Sequence, residues 1–155
     1  MKRAGFTMIE LIFVIVILGI LASVAVPKLI GVKASAEEGL AKGFVGTLNR
    51  TIGASKWSDS LMNDDDGSVD SATYNITTSD TEFPTGVVAP LAMTGCVLTG
   101  ATPVALSTAL TNGFNIYCLD GNESSAPKFF YADQDTTVTS TNFATAVTNG
   151  DLKIK

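Results

Sequence analysis

The chain has 155 residues, of which 46% are hydrophobic, a formal net charge of −5 and no histidine. Its ten Lys and Arg residues are scattered, which argues against a nucleic-acid interface, because neutralising phosphates requires clustered cations. Without histidine it lacks the commonest metal ligand and general base at neutral pH, so an enzyme is not expected. The length fits one small domain beside one membrane-spanning helix.

An almost unbroken apolar segment runs from Phe6 to Val26. As a helix rising ~1.5 Å per residue it would be about 30 Å long, which is the thickness of a bilayer core. Lys2 and Arg3 precede it and no basic residue lies inside it, so the positive-inside rule predicts a cytoplasmic N-terminus and an exported remainder. Residues 22–25 also resemble a secretory cleavage site, and this leaves a secreted soluble domain as an alternative.

Glu10 is the one charged residue within this apolar segment. A carboxylate in hydrocarbon is costly unless it is paired, and a single helix offers no cation nearby. A neighbouring copy with a free N-terminal amine would supply one. The sequence therefore predicts that Glu10 finds its partner through assembly, which also fixes the register between copies.

The stretch Lys2–Leu11, KRAGFTMIEL, followed by the apolar segment, resembles the processing signal of type IV prepilins and type II secretion pseudopilins. In that family a prepilin peptidase cuts after the glycine, here Gly5, and methylates the new N-terminal amine, here on Phe6. The glutamate of the family falls on Glu10.

The resemblance continues to Lys28 and carries further expectations about the helix. Gly19 and Pro27 match family positions where the helix loosens or bends as subunits leave the bilayer, and a proline inside a helix weakens it in any case. Pro27 also fits a simpler role as the residue that marks the exit from the membrane.

The resemblance implies an α+β pilin fold, with one long helix from Phe6 to about Trp57 packed on a small antiparallel sheet. The implied domains are a cleaved leader at residues 1–5, a transmembrane assembly helix at 6–27, an amphipathic continuation at 28–58 and a β-rich head at 59–155.

The function implied is that of a structural subunit and not an enzyme. It would build a type IV pilus-like filament for adhesion, motility or DNA uptake; the alternative is a pseudopilus for protein export. The expected partners are further copies of the chain, minor pilins, the prepilin peptidase, the assembly platform and the membrane, with no direct nucleic-acid binding. The chain would start as a single-pass inner-membrane protein and end in an extracellular pilus, or in a periplasmic pseudopilus. Major pseudopilins usually carry a Tyr-Pro motif and a C-terminal calcium loop, which this chain lacks.

The sequence after Pro27 predicts how the helix meets the head. Leu40, Phe44, Leu48 and Ile52 recur every four residues and predict an apolar stripe facing the sheet. β-branched and aromatic residues between turn formers predict short strands. The candidate strands are Val69–Ile76, Gly86–Val88, Phe114–Leu119, Lys128–Ala132, Thr136–Ser140 and Leu152–Ile154, and a short capped helix is expected from Thr102 to about Asn112.

Cys96 and Cys118 lie in the part of the chain that would be exported. An even pair in an oxidising compartment predicts a disulfide, which would stabilise the head by roughly 3 kcal/mol on the chain-entropy model. Two buried free thiols are the alternative. In the family that the sequence resembles, a C-terminal disulfide pair is more typical of pilins, and the resemblance therefore implies the pilus rather than the pseudopilus.

Two head segments suggest weaker sites. Asp64, Asp66 and Asp70 offer oxygen ligands for calcium at short spacing, although a solvated acidic connection is the more ordinary explanation, since acidic runs are usually just solvated. No other cofactor is expected. Residues 120–124, DGNES, resemble an extended bacterial glycosylation sequon at Asn122, with an ordinary turn as the alternative.

Overall fold

The computed structural model describes residues 5–84, 87–98, 100–107 and 113–155, with Ile30 described by its backbone alone. The chain divides into two compact units, Met1–Glu37 and Glu38–Lys155. The first unit is helical where it is described, and the second holds the core and the sheet.

One helical segment accounts for the N-terminal third of the chain. Helix α1 spans Met8–Thr47, a π-helical turn covers Leu48–Ile52, and helix α2 spans Gly53–Met62. The sequence predicted an end near Trp57, and the helix runs one turn further. It stops at Asn63, the first residue of a turn-forming segment rich in aspartate, residues 63–70, which we call the acidic loop.

A three-stranded antiparallel sheet forms the centre of the second unit. Strands β1 (Ala105–Ser107), β2 (Phe114–Leu119) and β3 (Lys128–Asp133) lie in the order β1-β2-β3. The predicted strands at Phe114–Leu119 and Lys128–Ala132 are confirmed. Together with the long helix they confirm the predicted α+β class, a helix with a small antiparallel sheet.

The helix face that meets the sheet differs from the predicted stripe. Phe44 and Leu48 are buried as expected, but Leu40 is 48% exposed, and Ala41 and Val45 take part in the core instead. A strict four-residue spacing drifts around a helix of 3.6 residues per turn, so a stripe over several turns must alternate three- and four-residue steps.

Both faces of the sheet are covered. Along β2, Phe114, Ile116 and Cys118 lie in the core shared with α1, whereas Tyr117 and Leu119 lie in a second apolar cluster on the opposite face. That second cluster is closed by a third helix, α3, at Ser140–Asn149, through buried residues such as Phe143 and Ala146. The head is therefore a sheet between two helical layers.

Helix α3 begins only at the last residue of a predicted strand, Thr136–Ser140; residues 136–139 form a bend and irregular chain, so that prediction is wrong. Thr139 begins the helix with a capping box, in which its hydroxyl accepts from the Asn142 N–H and the Asn142 side chain accepts from the Thr139 N–H. Gly150 ends the helix in the left-handed region at φ 70°.

Four further predictions of regular structure are wrong where the structure describes their residues. Val69–Ile76 holds a 3-10 turn at Ala72–Tyr74, capped by the Ser71 side chain, and contributes one bridge at Ile76. Leu152–Ile154 makes a single parallel bridge beside β3. The expected helix at 102–112 gives way to strand β1 up to Ser107, and residues 108–112 lie outside the described part. In the expected strand Gly86–Val88, residues 87 and 88 are not in a strand, and Gly86 lies outside the described residues.

Candidate functional site

The bond expected to be cleaved lies just outside the helix. Residues 5–7 are non-helical, and α1 begins at Met8. Gly5 meets nothing within 4 Å of where a Cβ would stand, and the Phe6 side chain is 88% exposed. The backbone between Gly5 and Phe6 is thus free of helical hydrogen bonds, which is what a peptidase requires of its substrate.

Thr7 and Glu10 form a capping box at the start of α1. The Glu10 carboxylate accepts the Thr7 N–H at 2.9 Å and the Thr7 hydroxyl at 2.7 Å, while the Glu10 N–H donates to Thr7 Oγ1 at 3.3 Å. These bonds satisfy donors that a helix N-terminus otherwise leaves free.

This box adds a local partner for Glu10 that was not predicted from the sequence, and the expectation that a single helix offers Glu10 no cation stays a prediction. The partner is a hydrogen-bond donor, Thr7, and not a cation. The Thr-x-x-Glu spacing before an apolar run was the signal in the sequence that could have revealed it. The negative charge of Glu10 stays uncompensated within the described residues of the first unit, apart from these two bonds and the helix dipole.

The helix after Glu10 presents apolar side chains on all its faces. Every residue from 5 to 29 is exposed, and Glu10 is the one charged residue between Phe6 and Pro27. Within the described residues, the single segment long and apolar enough to span a membrane, by length and composition, is Met8–Met62. An apolar surface of this extent calls for lipid or protein around it.

Gly19 and Pro27 both lie inside α1. A Cβ on Gly19 would meet nothing within 4 Å, so no neighbouring group of the described chain requires a glycine there. Pro27 has no N–H to donate to the preceding turn, yet the helix continues past it to Thr47. Pro27 therefore does not end the helix.

The Asp120 side chain holds the end of the acidic loop of the head. Asp120 is 8% exposed; its Oδ1 accepts the Val69 N–H at 2.7 Å and the Gly121 N–H at 2.9 Å, and its Oδ2 accepts the Ser68 hydroxyl at 2.6 Å. The Ser60 hydroxyl in turn donates to Ser68 O at 2.6 Å. Asp120 was not predicted as a structural residue, since its partners lie about fifty positions earlier.

The calcium candidates do not converge. Among the described residues, no three acidic or thiol side chains are placed to hold a metal ion together. Asp64, Asp66 and Asp70 are exposed, and the first two adopt the left-handed region at φ 60° and 53°. Partial desolvation and the nearby Asp120 carboxylate raise the pKa of Asp70.

The candidate sequon lies on the turn that follows Asp120. Asn122 is exposed, its Oδ1 accepts the Ser124 N–H at 2.9 Å, and its carbonyl oxygen accepts the Trp57 indole N–H at 2.8 Å. The acidic residue of the sequon, Asp120, is buried and fully engaged with the 68–69 segment. In the folded head this segment therefore serves as a structural turn.

Cys96 and Cys118 are joined by a disulfide across 22 positions. Cys118 lies on β2 and is 1% exposed, and Cys96 follows a 3-10 turn at Met93–Gly95 and is 3% exposed. The bond ties the segment before β1 to the central strand, next to backbone bonds from Val97 N–H to Cys118 O at 3.1 Å and from Asp120 N–H to Val97 O at 2.8 Å.

The N-terminal features define a class of protein: a membrane-inserted precursor with a short basic leader, a non-helical glycine junction and a capped apolar helix that carries one glutamate. The first 26 residues match the family model described as the prokaryotic N-terminal methylation motif. This motif is the processing signal of type IV pilin and pseudopilin precursors, so the resemblance found in the sequence is confirmed. No curated protein and no solved structure matches the chain.

The motif supports a precursor of the pilin or pseudopilin type, anchored in a membrane by its apolar helix. Filament assembly and processing by a prepilin peptidase are general properties that the motif implies.

Proposed function

We propose that this chain is the precursor of a structural subunit of a type IV pilus-like filament, and not an enzyme. A prepilin peptidase cuts between Gly5 and Phe6 and methylates the Phe6 amine, and the mature chain assembles through its N-terminal helix. The observation that carries the proposal is the methylation motif over residues 1–26, placed on a helix whose apolar side chains are exposed up to Leu29.

The capping box supports a specific role for Glu10. Two hydrogen bonds from Thr7 hold the carboxylate at the first turn of the helix, close to the position of the new N-terminus. Cleavage after Gly5 creates an ammonium on Phe6, four residues before Glu10. In a filament that ammonium neutralises Glu10 of an adjacent copy, and a slip in register would leave a charge in an apolar environment.

The disulfide supports the pilus over the secretion pseudopilus. The support comes from the resemblance, in which a C-terminal disulfide pair is more typical of pilins than of pseudopilins; the compartment does not decide, because disulfides persist both outside the cell and in the periplasm. The proposed route runs from a single-pass inner-membrane precursor with a cytoplasmic N-terminus to an extracellular fibre. Its partners are further copies, minor pilins and the inner-membrane assembly platform.

Mass spectrometry of the mature protein tests the processing step. The expected N-terminal peptide begins with N-methylated Phe6. A Gly5→Leu variant should retain the leader, because the larger side chain beside the Gly5–Phe6 bond would prevent the prepilin peptidase from cleaving it. A mature chain starting near Val26 would instead establish a secreted domain, and an intact Met1 would establish a plain membrane anchor.

Filament imaging tests the assembly step. Glu10→Gln keeps a capping residue at the same position but removes the charge, so we expect normal membrane insertion with few or no fibres. Glu37→Gln is the matched control, since it removes a carboxylate further along the same helix. A normal fibre yield from Glu10→Gln would overturn the role given to Glu10.

Cells that lack this protein distinguish the two kinds of filament. Loss of surface fibres with unchanged exoprotein secretion would support the pilus. Loss of exoprotein secretion with unchanged surface fibres would support the pseudopilus.

A further inference from the structure

The outer edge of β3 carries backbone groups that a further strand would normally bind. Phe129 and Tyr131 direct both their N–H and their C=O groups to the side away from β2. The strand sequence, KFFYAD, is rich in aromatic residues of high β propensity. An open edge of this composition pairs readily with a strand from another chain.

Asn49 occupies the edge at Phe129. Its Oδ1 accepts the Phe129 N–H at 2.8 Å, and its Nδ2 donates to the Phe129 carbonyl oxygen at 2.8 Å. The side-chain amide thus makes the same pair of bonds that the backbone of a neighbouring strand would make. Nδ2 also donates to Val45 O at 3.1 Å, which fixes the side chain against its own helix.

The π-helical turn brings Asn49 to this position. Asn49 lies within the turn Leu48–Ile52, which is closed by the Gly53 N–H bonded to Leu48 O. A Cβ on Gly53 would stand 3.0 Å from the Phe129 ring and 3.0 Å from Leu48 O. The helix backbone can therefore approach β3 closely because residue 53 is glycine.

The C-terminal segment Leu152–Ile154 covers the same edge of β3 two residues further along the strand, at Tyr131. Tyr131 N–H donates to Leu152 O at 2.9 Å, and Ile154 N–H donates to Tyr131 O at 2.9 Å. Ile154 is fully buried, and Lys153 is held by Glu38 at 2.8 Å. The outward backbone N–H and C=O groups of Phe129 and Tyr131 are thus hydrogen-bonded by two separate elements, neither of which is a full strand.

We propose that Asn49 and the segment Leu152–Ile154 form an edge guard that keeps β3 of one head from pairing with β3 of a second copy. The occupant excluded is a second copy because a filament would hold many identical heads at high local concentration, where an open aromatic edge would compete with helix-mediated assembly. The choice of a second copy as the excluded partner rests on the proposed filament, whereas the contacts that cover the edge depend neither on the processing step nor on the type of filament.

The test compares Asn49→Ala with Thr51→Ala in the full-length chain in detergent micelles. Thr51 is the matched control: it lies in the same π-helical turn and its hydroxyl donates to the carbonyl four residues earlier at 2.8 Å, but it is exposed and has no bond to β3. Amide hydrogen exchange at Phe129 and sedimentation velocity are measured over a range of protein concentrations. We expect Phe129 exchange to rise about tenfold or more in Asn49→Ala at low concentration, since one hydrogen bond of ordinary strength is lost. At higher concentration the variant should associate and Phe129 should become protected again.

A folded Asn49→Ala variant that stays unassociated at all concentrations, or that associates no more than Thr51→Ala, overturns the proposal. If Asn49→Ala does not fold, Asn49→Asp decides by sedimentation velocity alone, because it keeps the acceptor for the Phe129 N–H and loses the donor to its carbonyl; association no greater than that of Thr51→Ala then overturns the proposal. If neither variant folds, Asn49 is a requirement of the fold, and its separate role as an edge guard is overturned.

Discussion

Lys153 Nζ lies 2.8 Å from Glu38 Oε1, which joins the C-terminal segment to helix α1. The same ammonium lies 3.4 Å from Asp133 Oδ2 and above the rings of Phe114 and Tyr131, at 5.5 and 5.8 Å from their centroids. One cation thus connects a helix, the edge strand and the chain terminus. Its charge state should affect the stability of the whole head.

The first prediction concerns pH. The hydrogen bond and charge of Lys153 hold the pKa of Glu38 below its ordinary value of 4.5, and the bond to Glu38 raises the pKa of Lys153 above 10.5. A lowered carboxyl pKa contributes stability above its unfolded value and loses it as the pH falls through the folded value. The raised lysine pKa contributes below its unfolded value and loses it as the pH rises through the folded value. The pair therefore stabilises the head between these limits.

Thermal unfolding of the full-length chain in detergent, followed from pH 3 to 7, checks this pH dependence. Wild type should lose stability toward the acid end, and Glu38→Gln should start lower at neutral pH and change less between the two ends. Glu37→Gln is the control, since Glu37 faces Lys33 at 3.6 Å and not the terminus. Equal pH profiles for wild type and Glu38→Gln would show that the pair does not act in this way.

The second prediction concerns Asp120. Asp120→Asn replaces one acceptor oxygen by a donor that faces the Val69 N–H or the Ser68 hydroxyl, so at least one buried donor loses its partner. We expect the free energy of unfolding to fall by about 2–3 kcal/mol, the range for lost bonds to a charged group. Denaturant unfolding measures the change, with exposed Asp64→Asn as the control. A change no larger than that of the control would argue against Asp120 as the anchor of the acidic loop.

The third prediction concerns the disulfide. Replacing both Cys96 and Cys118 by alanine removes a cross-link across 22 positions. The chain-entropy model gives a loss of roughly 3 kcal/mol for a loop of this length. Because both sulfur atoms are buried, the reductant should act on the native protein slowly and on the unfolded protein quickly. Unfolding in denaturant with and without reductant measures the loss, and the double variant should show no further effect of reductant.

The N-terminal half of the molecule could be predicted from sequence because its information is local. The apolar run, the Gly5–Phe6 junction and the isolated Glu10 all lie within a few turns of one helix, where spacing along the chain equals position in space. Even the capping box was present as Thr7 and Glu10 three residues apart, although its meaning was missed.

The head was less predictable because its determinants are distant in sequence. Asp120 holds a segment fifty residues earlier, and Asn49 binds a strand eighty residues later, so no local pattern reveals either role. Strands β2 and β3 were found because both of their faces are buried and their residues are strongly β-forming. Helix α3 was not predicted and a strand was placed just before it, because threonines favour strands in general, whereas the capping box at Thr139 starts a helix here.

The last prediction separates backbone strain from close packing at a glycine. Gly67 has φ 80°, and a Cβ there would stand 2.5 Å from the Asn122 carbonyl oxygen and 2.8 Å from the Trp57 indole nitrogen. Gly150 has φ 70° but meets nothing within 4 Å, so it is the matched control for the dihedral alone. Gly150→Ala should cost about 1 kcal/mol, and Gly67→Ala about 2–4 kcal/mol, because the acidic loop must also separate from the turn at Asn122. Denaturant unfolding of both variants gives the difference, and a quenching or shift of Trp57 fluorescence confined to Gly67→Ala would locate the separation. If both variants lose the same free energy of unfolding, the close contact between Gly67 and the turn at Asn122 contributes nothing to the stability of the head.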